Sequence, residues 1–247
     1  MTTLSNEKEF LNCLFENYIT SDDSPYLRNM RNLEIKECSK YMKPGGIALE
    51  LGCEIGYMTS LISPLVKHLD VVEGSVKFII EAKKRKLQNV SFYNCLFEEF
   101  SPDTKYDYIF MSHVLEHLVN PQQVLKMIRN ALAEDGKLFV IVPNARAASR
   151  RLAKNMGLID SLFDLTPNDI RGGHRRVYDG TSIIFELTEA EFCIIVMQGL
   201  LFKPFADFQF DALLKSGFLT QQHLDGLALL GRNYPELCGA IFLCAAK

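Results

Sequence analysis

The chain has 247 residues and a formal net charge of -3 at pH 7, with 48% hydrophobic and 23% charged residues. That length suits one α/β domain with insertions; the composition excludes a disordered chain, and the missing basic excess speaks against general nucleic-acid binding. No apolar run reaches the ~18 residues of a membrane span, and the polar start at Met1 lacks the layout of a secretion signal, so the expectation is a cytoplasmic protein without a membrane partner.

Residues 5–42 read as helical. Leu11, Leu14, Phe15 and Tyr18 recur at helical spacing. Asp22-Asp23-Ser24-Pro25 divides the stretch, with Pro25 suited to a first helical turn. These helices are expected to cap a main domain over 43–247. After the break at Pro44-Gly45-Gly46, the spacing predicts a strand over 47–51, a glycine turn over 52–56 and a helix over 57–66. A strand at 69–73, a charged helix at 76–86, a strand at 90–93, a strand at 106–111 and a helix at 121–132 follow. Asp135-Gly136 turns into a fifth strand, 138–142, ended by Pro143. Alternating strands and helices predict a mostly parallel sheet covered on both faces.

Residues 144–178 break this rhythm, and so long a segment between core elements reads as functional or as a small cap. The tail predicts a helix at 181–192, a strand at 194–203, a helical excursion and a last strand at 239–245. Seven cysteines, none in a CxxC pair, read as buried thiols in a reducing compartment, with no disulfide and no metal site.

The stretch Leu49-Glu50-Leu51-Gly52-Cys53-Glu54-Ile55-Gly56 runs from a strand through a glycine turn into a helix. In open α/β sheets ligands bind beyond the carboxyl ends of the strands, and glycine lets the backbone bend there. Glu73 closes the second strand about 20 residues further on, where an acid can accept hydrogen bonds from a ribose. A dinucleotide site wants G-x-G-x-x-G, whereas this turn reads Gly52-x-Glu54-x-x-Tyr57. The carboxylate of Glu54 would repel a pyrophosphate, so a nicotinamide oxidoreductase is the lesser alternative.

Together with Asp107-Tyr108-Ile109-Phe110 and Val114-Leu115-Glu116-His117, these motifs resemble class I S-adenosylmethionine-dependent methyltransferases, nearest their small-molecule branch of ubiquinone- and biotin-pathway type. The resemblance covers about residues 30–145. It implies a Rossmann-like, seven-stranded, mostly parallel sheet with an antiparallel last strand, N-terminal helices and an inserted cap. It also implies S-adenosylmethionine as cofactor. Glu50, Gly52, Cys53 and Gly56 would lie near the methionine part, Glu73 on the ribose with Gly74 and Ser75 alongside. Cys95, Leu96 and Phe97 would flank adenine, and Met111, Ser112 and His113 would lie beside the cofactor. Glu54 and Cys95 depart from the family's usual glycine and aspartate, which keeps open an inactive cofactor-binding protein of the same fold.

Methyl transfer from a sulfonium needs an aligned acceptor and often a base. His113 and His117, four residues apart, are the candidate catalytic residues, and His174 is a third histidine in the insert. The insert holds seven lysines and arginines against three aspartates, densest at His174-Arg175-Arg176-Val177-Tyr178. Arginine forks suit anions, so this segment is expected to grip a small, acidic substrate. Tyr18, Tyr26 and Arg28 would close the other side. The oligomeric state stays open, a homodimer among the options, and a nucleic-acid substrate is not expected.

Overall fold

The computed structural model describes residues 4–247. The N-terminal helices are α1 (Leu4–Tyr18) and α2 (Pro25–Ser39). Pro25 opens α2, and Ser24 caps it by accepting from the Leu27 N–H. The core alternates β1 (Ile47–Leu51), α3 (Tyr57–Ile62), β2 (His68–Val72), α4 (Val76–Lys83), β3 (Val90–Tyr93), β4 (Tyr106–Ser112), α5 (Pro121–Ala131) and β5 (Leu132–Pro143). The insert folds into α6 (Ala148–Asn155) and α7 (Pro167–Arg171). The chain closes with α8 (Gly180–Glu189), β6 (Cys193–Phe202), α9 (Asp207–Lys215), α10 (Gln221–Asn233) and β7 (Cys238–Ala246).

The seven strands form one sheet in the order β3-β2-β1-β4-β5-β7-β6. The first five run parallel, and β7 inserts antiparallel between β5 and β6. Central strands are mostly apolar where both their faces are buried: Leu49, Leu51, Ile109, Met111, Val140 and Val142 face one core layer, while Ala48, Phe110, Phe139 and Ile141 face the other, and Glu50 is the buried exception in β1. The fifth strand starts earlier than expected, since Leu132 already pairs with Tyr106 before a shift in register. Among the described residues no helix is long and apolar enough to cross a membrane.

Parallel pairing decides where the site lies. Strand order reverses between β1 and β4, and such a switch opens a crevice at the strands' carboxyl ends. The register Leu51↔Val72 sets Gly52 and Glu73 side by side there. The N-terminal helices and the insert close over this end. Asn17 donates to the Arg171 carbonyl at 2.8 Å, and Tyr18 Oη to the Gly172 carbonyl at 2.8 Å.

Candidate active site

A cavity of about 1370 Å³ occupies the carboxyl end of the sheet. Pockets for one drug-sized ligand run to roughly 300–1,000 Å³, so this cavity is larger than a single-ligand pocket. Of the expected site residues, Gly52, Cys53, Glu73, Gly74, Leu96, Phe97, Ser112, His113, His117, His174, Tyr18 and Tyr26 line it.

Gly52 takes φ +73°, a region open to glycine, and the Val114 side chain lies 3.3 Å from where a Cβ would stand. Glu73 faces this turn. Its Oε2 accepts from the Cys53 N–H at 3.2 Å and its Oε1 from the Ser75 N–H at 2.8 Å. Burial raises the Glu73 carboxyl to about 7 against the pull of those donors. Each oxygen keeps acceptor capacity beyond these bonds, and the residue lines the cavity. Leu96 and Phe97 supply an apolar flank beside it, as adenine would need.

Several expected site residues lie elsewhere. Met111 is fully buried among core side chains, and Cys95 packs against the same layer rather than in the cavity wall. Ser75 is sealed off, its hydroxyl donating to Asn12 Oδ1 at 2.7 Å. Gly56 serves packing: a Cβ there would come within 2.9 Å of the Ala82 backbone on α4. Arg28 is exposed and does not line the main cavity; it borders a small adjoining pocket with Arg31, Glu54 and Tyr57. Tyr178 is buried in the core, with its hydroxyl 3.3 Å from Glu186 Oε2.

Glu50 sits behind the turn, only 2% exposed, with Oε2 making no hydrogen bond. The Thr59 hydroxyl lies beside it without a well-aligned bond. Burial raises the carboxyl to about 8 from an ordinary 4.5. Between those two pH values the unfolded chain releases a proton that the folded chain keeps. Stability therefore falls as pH rises from about 4.5 to about 8. Glu50→Gln, which keeps the shape and removes the charge, is expected to raise Tm by several degrees at pH 8 and hardly at all at pH 4.5. Differential scanning calorimetry at the two values checks it, and parallel pH profiles for both proteins would refute it.

Arg31, the residue sequence reasoning missed, anchors the other end. It lies one turn beyond Arg28, and only the path of α2 shows which of the two faces inward. Its Nη1 donates to both oxygens of Glu34 at 3.1 Å, and its Nη2 lies 3.7 Å from Glu54 Oε2. Glu34 is fully buried and also accepts from Ser112 Oγ at 2.7 Å. Burial alone would raise the Glu34 carboxyl, but Arg31 and then His113 outweigh it and bring it down to about 2. Glu54 keeps a buried Oε1 without a hydrogen bond, so the loop carries an uncompensated acceptor.

The histidines differ sharply. His113 takes φ +55° at the end of β4, with Nε2 3.0 Å from Glu34 Oε1. Burial and Arg31 oppose its charge, yet Glu34 and Glu116 hold it above its ordinary value. His117 goes the other way: burial lowers it to about 4. It lies edge-on to His174, with ring centroids 4.8 Å apart.

The cap arginines act as fasteners. Arg175 Nη2 donates to both oxygens of Glu7 at 2.7 and 2.9 Å, and its Nε to the His117 carbonyl at 2.7 Å. Arg176 donates to the Leu115 and Leu118 carbonyls at 3.1 and 2.6 Å. Neither lines the cavity, so the expected grip of a substrate by these two residues is corrected: protein carbonyls and Glu7 take up the forks. Arg175→Ala, which removes the ion pair between α1 and the cap, is expected to lower Tm by roughly 3–8 °C, from about 1.5–2 kcal/mol for charge-assisted bonds. An unchanged melting curve would count against this fastening role.

A protein-family model described as a methyltransferase domain matches residues 26–195. The chain is 33% identical over 136 residues to (S)-coclaurine N-methyltransferase of Thalictrum flavum subsp. glaucum, covering 52% of this chain and 36% of that protein. It is 34% identical over 94 residues to malonyl-[acyl-carrier protein] O-methyltransferase of Bacillus cereus, covering 37% and 35%. The matches thus span about a third of these curated relatives. Among solved structures, the DhpI-SAM-HEP complex superposes with TM-score 0.64 at 16% identity over 100% of both chains, which bears on the fold. The matched domain, the strand order with its antiparallel end, and the acid-and-glycine crevice agree. The chain therefore belongs to the methyltransferase-domain family, within the class I, Rossmann-like, S-adenosylmethionine-dependent methyltransferases.

Proposed function

We propose that this protein binds S-adenosylmethionine at the Gly52–Glu73 end of the cavity and methylates a nitrogen or oxygen of a small molecule held under the cap. The observation that carries this is the Glu73 carboxylate, bridging the glycine turn and the end of β2 while facing the cavity. Bound there, the cofactor supplies an electrophilic methyl group on a sulfonium. Glu73 accepts from its ribose, Leu96 and Phe97 flank its base, and Arg31 with Glu54 offers a cation and an anion to its amino-acid end. The α1 helix helps to exclude water: Leu11 packs over Gly74, 2.5 Å from where a Cβ would stand.

The acceptor is best read as uncharged or cationic. An acid was expected from the cap's arginines, but these grip the protein itself. Acidic side chains outnumber lysines and arginines along the cavity wall. Of the cavity's five lysines and arginines, three are paired, Arg31 with Glu34, Arg150 with Asp169 at 3.1 Å and Lys203 with Asp207; Arg171 and Lys215 are the other two. The printed names of the relatives include both N- and O-methyltransferases. Among the cavity histidines, His113 is held toward its charged form, which does not suit a base.

Binding is tested by thermal shift and calorimetry with S-adenosylhomocysteine. A ligand that binds only the folded state at 100 times its Kd adds about 2.7 kcal/mol of stability, so a rise of several degrees is expected. No shift at millimolar ligand would refute the assignment.

A further inference from the structure

Below the cap, Glu116, His117 and His174 bring three ligand-type atoms within 4.8 Å of one another. Glu116 is fully buried, and neither of its carboxylate oxygens makes a hydrogen bond. His113 Nδ1 stands 3.5 Å from one of them, beyond ordinary hydrogen-bond length. A second buried polar atom in the cluster, His174 Nδ1, is also without a hydrogen bond. Asp169 Oδ1 lies 3.1 Å from it, a carboxylate contact of the kind that orients a metal-binding imidazole. Buried polar groups are ordinarily satisfied, and a fully buried carboxylate with neither oxygen bonded points to a missing partner. For a carboxylate and an imidazole lone pair, the partner that satisfies both is a cation.

We infer that Glu116, His117 and His174 form a binding site for one divalent transition-metal ion. Two imidazoles and one carboxylate favour zinc or a similar first-row ion over magnesium or calcium, which prefer all-oxygen shells. His117 and His174 line the cavity, so coordination positions left over by the protein face the space under the cap. Glu116 and His117 follow β4, whereas His174 belongs to the insert. The ion thus ties the cap to the sheet. The two histidines lie far apart in sequence and no CxxC-like spacing announces the set, which is why the sequence gives the expectation of no metal.

The test uses the full chain, stripped with a chelator, dialysed, and titrated with zinc chloride by calorimetry and thermal shift. One equivalent of zinc and a higher Tm are expected. His174→Ala and Glu116→Gln should each lose that equivalent. Far-UV circular dichroism reports whether each variant is folded; His174→Ala, with the less buried side chain, decides if Glu116→Gln fails to fold. Cobalt(II) in place of zinc should show weak visible bands without a thiolate charge-transfer band. The inference is overturned by absent saturable binding, by unchanged binding in His174→Ala, or by a thiolate band, which would place the metal on cysteine. S-adenosylhomocysteine titrated into the metal-free chain separates the two ideas: its binding without zinc binding removes the metal site alone, and zinc binding without it removes the methyl-transfer reading alone.

Discussion

Glu73→Ala is expected to raise the Kd for S-adenosylhomocysteine by about 100- to 1,000-fold. Hydrogen bonds to a charged group contribute about 1.5–3 kcal/mol each, and a ribose presents two hydroxyls to one carboxylate. Two such bonds near the lower end give about 3–4 kcal/mol, or the stated range, at 1.4 kcal/mol per decade. The variant also frees the Cys53 and Ser75 N–H groups that now point at the carboxylate, so the turn loses order together with the ligand contact. The apo fold should suffer less than the affinity does, because burial already works against this carboxylate, raising it to about 7. Glu73→Gln keeps the volume and one acceptor and should fall between wild type and Ala. Isothermal titration calorimetry measures all three. An unchanged Kd in the Ala variant would remove the ribose contact and, with it, the placement of the cofactor.

Arg31→Met should cost the protein itself the most. The substitution keeps an unbranched apolar stem and removes the charge. It leaves Glu34, which has no exposed surface, without its bidentate partner. Breaking a buried ion pair from one side costs about 3–5 kcal/mol. His113 Nε2 at 3.0 Å and Ser112 Oγ at 2.7 Å still reach Glu34, so the lower half of that range is expected. At roughly 2–4 °C per kcal/mol for a domain of this size, Tm drops by about 6–16 °C. Glu34→Gln in the Arg31→Met background removes the stranded charge and should recover part of the loss. Failure of that second change to restore any stability would mean that the ion pair is not the source of the effect.

The same two residues show what was legible in the chain and what was not. Glu73 could be found from spacing because its position follows from local geometry. A strand, a turn, a short helix and a second parallel strand bring residues about 20 apart to the same end of the sheet, and the Leu51↔Val72 register does so here. Strands buried on both faces must be apolar, so their number and nearly all of their bounds were also visible. Arg31 could not be found this way. Arg28 and Arg31 sit one helical turn apart, and the sequence holds no marker of which one α2 turns toward β4.

The cap illustrates the remaining gap. Its basic excess is a property of the sequence alone, and it invites the reading of an anion site. Whether those charges are free is decided by partners far away in the chain, such as Glu7 for Arg175. The meeting of Glu116 and His117 with His174 is decided in the same way. Sequence by itself determined the alternation, the glycine turn and the acid beside it, because periodicity and short spacings are written locally. Tertiary structure alone decided which charges are spent on holding the fold together and which face the cavity, because pairing and desolvation depend on neighbours that only folding supplies.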